Sequence, residues 1–313
     1  MKMIGLLTIP GGILCKKDAL GQQFSATISG YNVNISFPSI TDEEGNENVD
    51  CAEPFAQLNP PINGKTLRLG RENIEWGYPM SAPAMNSFIK YVTLEVDCNE
   101  FDSNELAQKL YGSIQEWTIS FKQFLQLLTH QNLEQKSQVT NPGNNLQLLF
   151  NKKYIQNQHP QVINMHIYPD KIFASYNEIK KAMDFASSGK ELLLEYQMLL
   201  SAYYARKEGK NRQAIVDACS AVELCLLNQI NCYCNQKGLN PKILTDKYRS
   251  LYDRFDLVEK IDSNCPSYDF KNIIVKPRNN LVHNNNAYPT NECTNKLIEM
   301  VEKYLSHYHT SYY

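Results

Sequence analysis

The sequence predicts an α+β protein in which a β-rich first part precedes an all-helical second part. Up to about residue 100, short runs of alternating apolar and polar residues are separated by turn residues, which is the pattern of strands with one buried face. Beyond about residue 169, apolar residues recur every three or four positions, as they do in amphipathic helices. The chain of 313 residues is longer than most single domains. We therefore expect two domains, residues 1–168 and 169–313.

The first domain is predicted to be an antiparallel sheet or sandwich with one long helix. Residues 24–37 and 88–96 have the strand pattern, and residues 146–150 are expected to return to the sheet. Residues 1–15 begin with a lysine and an apolar run, as a signal peptide does, but a Pro-Gly-Gly sequence interrupts the run. We interpret this segment as the first strand. An apolar stripe at helical spacing over residues 102–128 predicts the long helix.

The second domain is predicted to be an up-and-down bundle of six helices with short connections. They are expected at about 172–186, 188–209, 211–237, 244–261, 268–283 and 291–308. Ser188 and Glu191 have the spacing of a capping box and are expected to begin the second helix. Gly238 is expected to end the third helix, and Thr290 is expected to cap the last one.

Composition and charge narrow the classes of function. Lysine and arginine number 31 against 33 for aspartate and glutamate, so the chain has no broad positive field and any contact with RNA must be local. The nine cysteines are scattered, in a chain too long to need disulfide staples, which is typical of the reducing cytosol. No stretch after the first strand reaches the roughly 18 uninterrupted apolar residues of a membrane span. We therefore expect a cytoplasmic protein that does not enter a membrane.

The segment Arg-Asn-Asn-Leu-Val-His at residues 278–283 is the candidate for chemistry. It ends the predicted fifth helix, just before a run of three asparagines that favours helix termination. A histidine at a helix C-terminus lies at the negative end of the macrodipole, which favours its imidazolium form. Because imidazole exchanges protons near neutral pH, His283 is suited both to take and to give a proton. Pro277 lacks a backbone donor, so it is expected to kink or restart the helix before Arg278.

RNA cleavage without a metal ion requires groups that this segment contains. One group must remove the proton of the ribose 2′-hydroxyl, another must protonate the departing 5′-oxygen, and a cation must stabilise the charge that builds on phosphorus. His283 meets the proton-transfer roles, and Arg278 offers a planar, permanently charged fork of donors for phosphate oxygens. Residues five apart on a helix point about 140° away from each other, so one chain aligns the two poorly. A twofold dimer would bring both copies of each side chain into one cleft.

The second half of the chain resembles the HEPN superfamily of helical bundles. Its catalytic members carry Arg, then Asn, Asp or His, then His a few residues later, and Arg278, Asn279 and His283 match this pattern. The alanine-rich stretch around residues 221–223 is similar to the family's second recurrent helix, which packs beside the motif. The resemblance covers about residues 170–313. It implies a metal-independent endoribonuclease that works as a homodimer, needs no cofactor, leaves 2′,3′-cyclic phosphate ends and acts in toxin modules, antiviral defence or RNA processing.

Each candidate residue also has an interpretation without catalysis. Arg278 is alternatively a surface cation, and His283 a residue that caps the helix. Asn279 either bonds phosphate or orients His283, or it caps the local backbone. Glu223 either pairs with Arg278 and fixes its orientation, or it is a solvent-exposed helix charge. These readings leave open a non-catalytic HEPN-like module that binds RNA, nucleotide or protein, and an unrelated helical interaction protein in which the motif is accidental.

The rest of the chain gives few chemical signals. The sequence contains no phosphate-binding glycine loop and no nucleophile elbow. Cys232 and Cys234 are separated by one residue, which places them on different faces of a helix, so we expect no metal site there. The first domain carries no motif of specific function. Beside a nuclease, it is expected to sense a trigger, bind a regulatory partner, restrain the nuclease or select RNA.

Overall fold

The architecture is α+β, as predicted. The computed structural model describes residues 2–38, 77–79, 86–97, 104–133, 149–150, 153–154, 173–266, 268–283 and 288–309. Contacts between Cα atoms divide the chain into two compact units, Met1–Lys190 and Glu191–Tyr313. The division comes later than the predicted boundary after residue 168, because the helix that precedes Lys190 packs on a helix of the first unit.

The first unit is built on an antiparallel sheet. Its strands are β1 (Lys2–Lys16), β2 (Gln23–Ile28), β3 (Tyr31–Ser36), β4 (Gly77–Pro79) and β5 (Asn86–Asp97). The order along the sheet is β1-β5-β3-β2, and β4 also pairs with β5. The three strand segments predicted at the start of the chain, in 24–37 and in 88–96, are confirmed. β1 shifts its register against β5 between Thr8 and Ile13, where Pro10 lacks the donor that a ladder requires.

Two helices pack on each other and on β2. They are α1 (Asn104–Thr129), which is the predicted long helix, and α2 (Tyr176–Ser187). Exposed and buried residues alternate along β2, so its apolar side chains point to one face. Phe24 of β2 stacks on Tyr176 with ring centroids 5.0 Å apart, and Phe124 of α1 stacks on Phe185 of α2 at 4.1 Å. The core of the first unit lies between the sheet and these helices.

Two local predictions at the end of the first unit are wrong. Leu149–Phe150 (β6) pairs with Lys153–Tyr154 (β7) in a separate two-stranded sheet, because segments close together in the chain pair at a low cost in loop entropy. Ser188 does not begin a helix; it ends α2, and Gly189 follows in the left-handed region with φ of 66°. The capping box of this region is formed by Ser175 and Glu178 at the start of α2.

The second unit is a group of helices around one long central helix. Its elements are α3 (Leu194–Lys207), α4 (Asn211–Lys237), α5 (Pro241–Lys247), α6 (Leu251–Ile261), a π-helical turn (Lys271–Val275), α7 (Lys276–His283) and α8 (Asn291–Tyr308). α4 contacts each of the other five α-helices. Small side chains allow these helices to approach α4 closely, since Ala214, Ala218 and Ala221 are fully buried. The predicted bounds of α4 and α8 are confirmed, together with their Gly238 and Thr290 caps.

The single helix predicted over residues 244–261 is divided into α5 and α6. Ser250 lies at the break and caps the new helix, because its Oγ accepts a hydrogen bond from the Asp253 backbone N–H at 3.1 Å. The next helix also differs from a regular α-helix. A π-helical turn precedes α7, so the helix predicted over residues 268–283 is interrupted near its middle.

α4 is the one described helix that is long and apolar enough, by length and composition, to cross a membrane. Half of its most apolar window is buried inside the structure. The core helix of a soluble protein passes the same test, and the packing of α4 against five neighbouring helices accounts for its apolar composition.

Candidate active site on α7

α7 begins at an irregular turn that the sequence explains. The Lys276 N–H donates to the carbonyl of Lys271, five residues earlier, which is the hydrogen bond of a π-helical turn. Pro277 follows and has no N–H to donate, so it cannot contribute to the regular ladder. The predicted interruption before Arg278 is therefore confirmed, and it takes the form of a π-helical turn. Such turns inside helices are frequent at functional sites.

Arg278 and His283 occupy different environments on this short helix. Arg278 is half-buried, and its charge acts on Cys219 of α4. Burial raises the pKa of the Cys219 thiol to about 12, and the Arg278 guanidinium opposes that rise. His283 is the last residue of α7 and is exposed. One side chain thus lies close to the central helix and the other faces solvent, as the angle of about 140° between them requires.

Asn279 lies beside Arg278 and is half-buried. Its side chain forms no hydrogen bond with another residue in the described stretches of the chain. It therefore makes no bond to these residues that would orient His283 or cap the backbone, and its predicted role in bonding phosphate stays a prediction. The amide retains its donors and its acceptor for a group outside those stretches.

Glu223 forms a different ion pair from the one predicted. Its carboxylate pairs with the guanidinium of Arg254 on α6, and both side chains are mostly buried. Glu223 lies on the part of α4 that faces α6, where the Arg254 fork reaches it. The predicted pair with Arg278 is therefore absent among the described residues. Glu223 still acts on the same thiol as Arg278, because its negative charge contributes to the raised pKa of Cys219.

A residue of α4 that the sequence analysis missed, Arg212, contacts the end of α7. The Arg212 Nη2 donates to the carbonyl oxygen of Leu281 at 3.3 Å, two residues before His283. This contact brings a second guanidinium to the helix end that carries the imidazole. A signal was present in the sequence, because a cation in the first turn of α4 lies at the positive end of that helix dipole and needs a compensating partner. The partner itself depends on how α7 packs against α4.

The start of α4 also holds the segment that follows the motif. The Asn211 Nδ2 donates to the Pro289 carbonyl at 3.0 Å and to the Asn291 Oδ1 at 2.8 Å. With the bond from Arg212 to Leu281, two consecutive residues of α4 fix the chain on both sides of residues 284–287. His283 is therefore positioned by the N-terminal turn of α4 as well as by α7 itself.

Neither a search for a metal site nor comparison with known proteins assigns a function to this site. Within the described stretches, no three histidine, cysteine, aspartate or glutamate side chains cluster as a metal site would require. Comparison of the chain with protein-family models, curated proteins and solved structures gives no match in any of the three. Function is therefore inferred from the geometry of α7 and its neighbours.

Proposed function

We propose that the protein is a metal-independent endoribonuclease of the HEPN type, with Arg278, Asn279 and His283 as its catalytic residues. One observation carries the proposal. A single short helix that packs on α4 holds a half-buried guanidinium and, at its end, an exposed imidazole, and Arg212 donates to the Leu281 carbonyl of the same helix. Guanidinium groups and an imidazole on one helix, brought together with those of a second copy, suit a phosphodiester, whose transition state gathers negative charge on its oxygens.

The proposed reaction is an internal transfer that makes a 2′,3′-cyclic phosphate. His283 removes the proton of the ribose 2′-hydroxyl, the 2′-oxygen attacks phosphorus, and the bond from phosphorus to the 5′-oxygen breaks. The partner subunit's His283, in its imidazolium form, gives its proton to the departing 5′-oxygen. Arg278 stabilises the charge on the phosphate oxygens, and Asn279 orients the phosphate or the imidazole.

A homodimer is part of the proposal because one chain separates the two catalytic side chains. Large apolar side chains near α7 favour such an interface: Val282 is 55% exposed, Val216 is 44% exposed and Tyr288 is 84% exposed. The bonds from Arg212 to Leu281 and from Asn211 to Pro289 place all three around the first turns of α4. Burying them against a second copy would remove apolar surface from water and bring the two α7 helices together.

The setting of this activity follows from the family resemblance alone. We propose a cytoplasmic enzyme of a toxin or antiviral defence system, with the sheet-containing first unit as the part that detects a trigger or restrains cleavage. The packing of α4 as a core helix supports a protein outside the membrane.

The test is incubation of the purified full-length protein with labelled single-stranded RNA in EDTA. We expect cleavage that leaves cyclic phosphate ends, and a loss of roughly 10²–10⁴-fold in His283→Ala, which removes the proton-transfer group. Asn280→Ala is the matched control, because Asn280 is exposed on the same helix and outside the motif. The two variants should unfold at the same temperature as the unmodified protein, since neither side chain is buried.

Other outcomes would separate the rival functions. Equal cleavage by His283→Ala would overturn the assignment of the motif. RNA binding without any product, unaffected by His283→Ala, would indicate a non-catalytic binding module. Val282→Glu places a charge in the proposed dimer interface, so it should give monomers and reduce cleavage; an active monomer would remove the composite site from the proposal.

A further inference from the structure

A second site is indicated by a cavity at the other end of α4. Its volume is about 340 Å³, and it lies where the last turns of α4 and α8 meet the end of α6. The volume is within the range of small-ligand sites, roughly 300–1,000 Å³. None of the residues assigned to the ribonuclease motif lines it. It is therefore distinct from the candidate active site.

Aromatic rings form part of the cavity wall. Tyr233, His307 and Tyr308 line it, and the His307 and Tyr308 rings meet edge to face with centroids 5.0 Å apart. Rings at a cavity wall offer flat surfaces on which a planar ligand can stack. No lysine or arginine is among the described residues that line the cavity, so it lacks the cations that a phosphate group would select.

Amide side chains supply the hydrogen-bonding groups. Gln229, Gln236 and Asn264 line the same cavity. Each amide presents one acceptor and two donors in one plane, which is the arrangement that pairs with the edge of a nucleobase. Stacking surfaces combined with planar amides are the means by which proteins read unpaired bases of single-stranded RNA.

A carboxylate in the wall adds selectivity among the bases. The Asp262 Oδ2 accepts from the Tyr308 hydroxyl at 2.9 Å, and its Oδ1 accepts from the Asn264 backbone N–H at 2.9 Å. A carboxylate has about four lone-pair sites, so two acceptor positions remain. Hydrogen-bond donors of a ligand satisfy them. Adenine, cytosine and guanine present an exocyclic amino group to such a carboxylate. Uracil offers only its ring N–H, which lies between two carbonyl oxygens that a carboxylate repels, so the cavity disfavours uracil.

We propose that this cavity binds a nucleobase that carries an exocyclic amino group, and that it reads one base of the RNA substrate. The second part rests on the proposed ribonuclease function. Cys219, on which the charge of Arg278 acts, and Tyr233, in the cavity, are fourteen residues apart on α4, which is about 21 Å along the axis and a turn of about 40°. The two sites therefore lie on similar sides of one continuous helix. The distance is too large for the base at the cleaved phosphate, so the cavity holds a base several nucleotides away.

The exposed thiol of Cys232 lines the cavity and provides a direct measurement. The rate of its alkylation by iodoacetamide is followed by mass spectrometry in the full-length protein, with adenosine, cytidine, uridine or glucose added. We expect adenosine and cytidine to slow alkylation several-fold, and uridine and glucose to have little effect. Cys293 on α8 lies outside the cavity, and its rate should not change. Equal protection by all four compounds, or none, would overturn the proposal.

Two sets of variants separate recognition from folding. Gln236→Ala should weaken protection by adenosine, whereas Asn235→Ala, at the neighbouring exposed position outside the cavity, should not. Asp262→Asn replaces part of the acceptor with an N–H donor, so protection should shift from adenosine toward uridine. A merely structural role of Asp262 would weaken protection by both nucleosides together. That result would contradict the proposal that Asp262 selects bases with an exocyclic amino group.

The RNA arm uses the His283→Ala full-length protein, which should bind RNA without cutting it. Its affinity for an adenine oligoribonucleotide should exceed its affinity for a uracil one and should fall roughly tenfold in Tyr233→Ala, because a stacking surface is lost. Binding of free adenosine with no preference between the two oligonucleotides would contradict the proposal that the cavity recognises a base of the RNA substrate. If nucleosides protect Cys232 but the protein never cleaves RNA, the proposed ribonuclease function is wrong and the nucleobase site is supported. If the protein cleaves RNA but nucleosides do not protect Cys232, the nucleobase site is wrong and the ribonuclease function is supported.

Discussion

α4 and α7 are neighbours in the second unit but are built for different purposes. α4 runs without interruption for 27 residues and buries eleven of them, among them Ala214, Ala218 and Leu226. α7 has eight residues, starts at a π-helical turn and buries only Leu281. The first helix gains stability from close packing, and the second displays charged and polar groups at the surface. Candidate chemistry therefore lies on a helix that contributes little to the core, which agrees with the general finding that functional segments are drawn from the less stable parts of a fold.

The largest expected effect comes from a substitution that removes a buried side chain of α4. Leu226 is fully buried, so Leu226→Ala should lower the free energy of unfolding by roughly 2–5 kcal/mol. Asn235 on the same helix is exposed, so Asn235→Ala should change it by less than about 0.5 kcal/mol. Urea unfolding followed by circular dichroism measures both. Equal effects at the two positions would contradict the description of α4 as the core of the unit.

The complementary test removes the guanidinium of α7. Arg278→Ala should reduce RNA cleavage by roughly 10²–10³-fold, because a cation at the developing phosphate charge is lost. Lys276→Ala, at an exposed position of the same helix, should leave cleavage nearly unchanged. Arg278→Lys keeps the charge but not the planar fork and should restore only part of the rate. Stability should fall by much less than in Leu226→Ala, and a comparable fall would assign Arg278 to packing instead.

The sequence predicted more about the course of the helices than about the contacts between them. The bounds of α4 and α8 and the interruption before Arg278 followed from Gly238, Thr290 and Pro277, because caps and a missing donor act within a few residues. The partner of Glu223 did not follow. Which side of α4 faces α6 and which faces α7 is decided by tertiary packing, and periodicity along one helix carries no record of its neighbours.

The candidate site shows the same limit. The motif was found from local sequence, since Arg278 and His283 lie on one helix and five residues apart. Arg212 was missed because its carbonyl partner, on Leu281, is 69 residues away in the chain. The cavity that contains Tyr233, Asp262 and His307 was missed for the same reason, because three helices contribute to it. Sites assembled from distant segments become visible only when the fold brings them together.

The core of the second unit also contains a buried carboxylate, that of Glu195. Glu195 is 2% exposed, contacts the His309 Nε2 at 3.1 Å and accepts from the Asn228 amide at 3.2 Å. Burial by itself would raise the pKa of Glu195, but the hydrogen bonds and the charge of His309 outweigh it, and the pKa lies below 4.5. The ionised form is thus favoured by folding. Its contribution to stability is present above pH 4.5 and is lost as the pH falls through the lowered folded value.

Glu195→Gln should therefore lower the free energy of unfolding by about 1–3 kcal/mol at neutral pH, and the difference should shrink toward zero as the pH falls below 4.5. Glu292 also has a lowered pKa, from its hydrogen bond to Lys296, but it is exposed. Solvent screens that pair, so Glu292→Gln should show little pH dependence. Urea unfolding between pH 7 and pH 3 compares the two, and parallel profiles would remove any special role for the buried carboxylate.

The smallest expected effect concerns the segment that joins α7 to α8. The Thr290 Oγ1 accepts from the Cys293 backbone N–H at 3.2 Å and caps α8, next to the residues that Asn211 binds. Thr290→Ala should cost about 1 kcal/mol of stability, and Thr290→Ser, which keeps the hydroxyl, should cost much less. Because α4 holds this segment independently through Asn211, RNA cleavage should change little. A large loss of cleavage in Thr290→Ala but not in Thr290→Ser would mean that the start of α8, rather than the start of α4, positions His283.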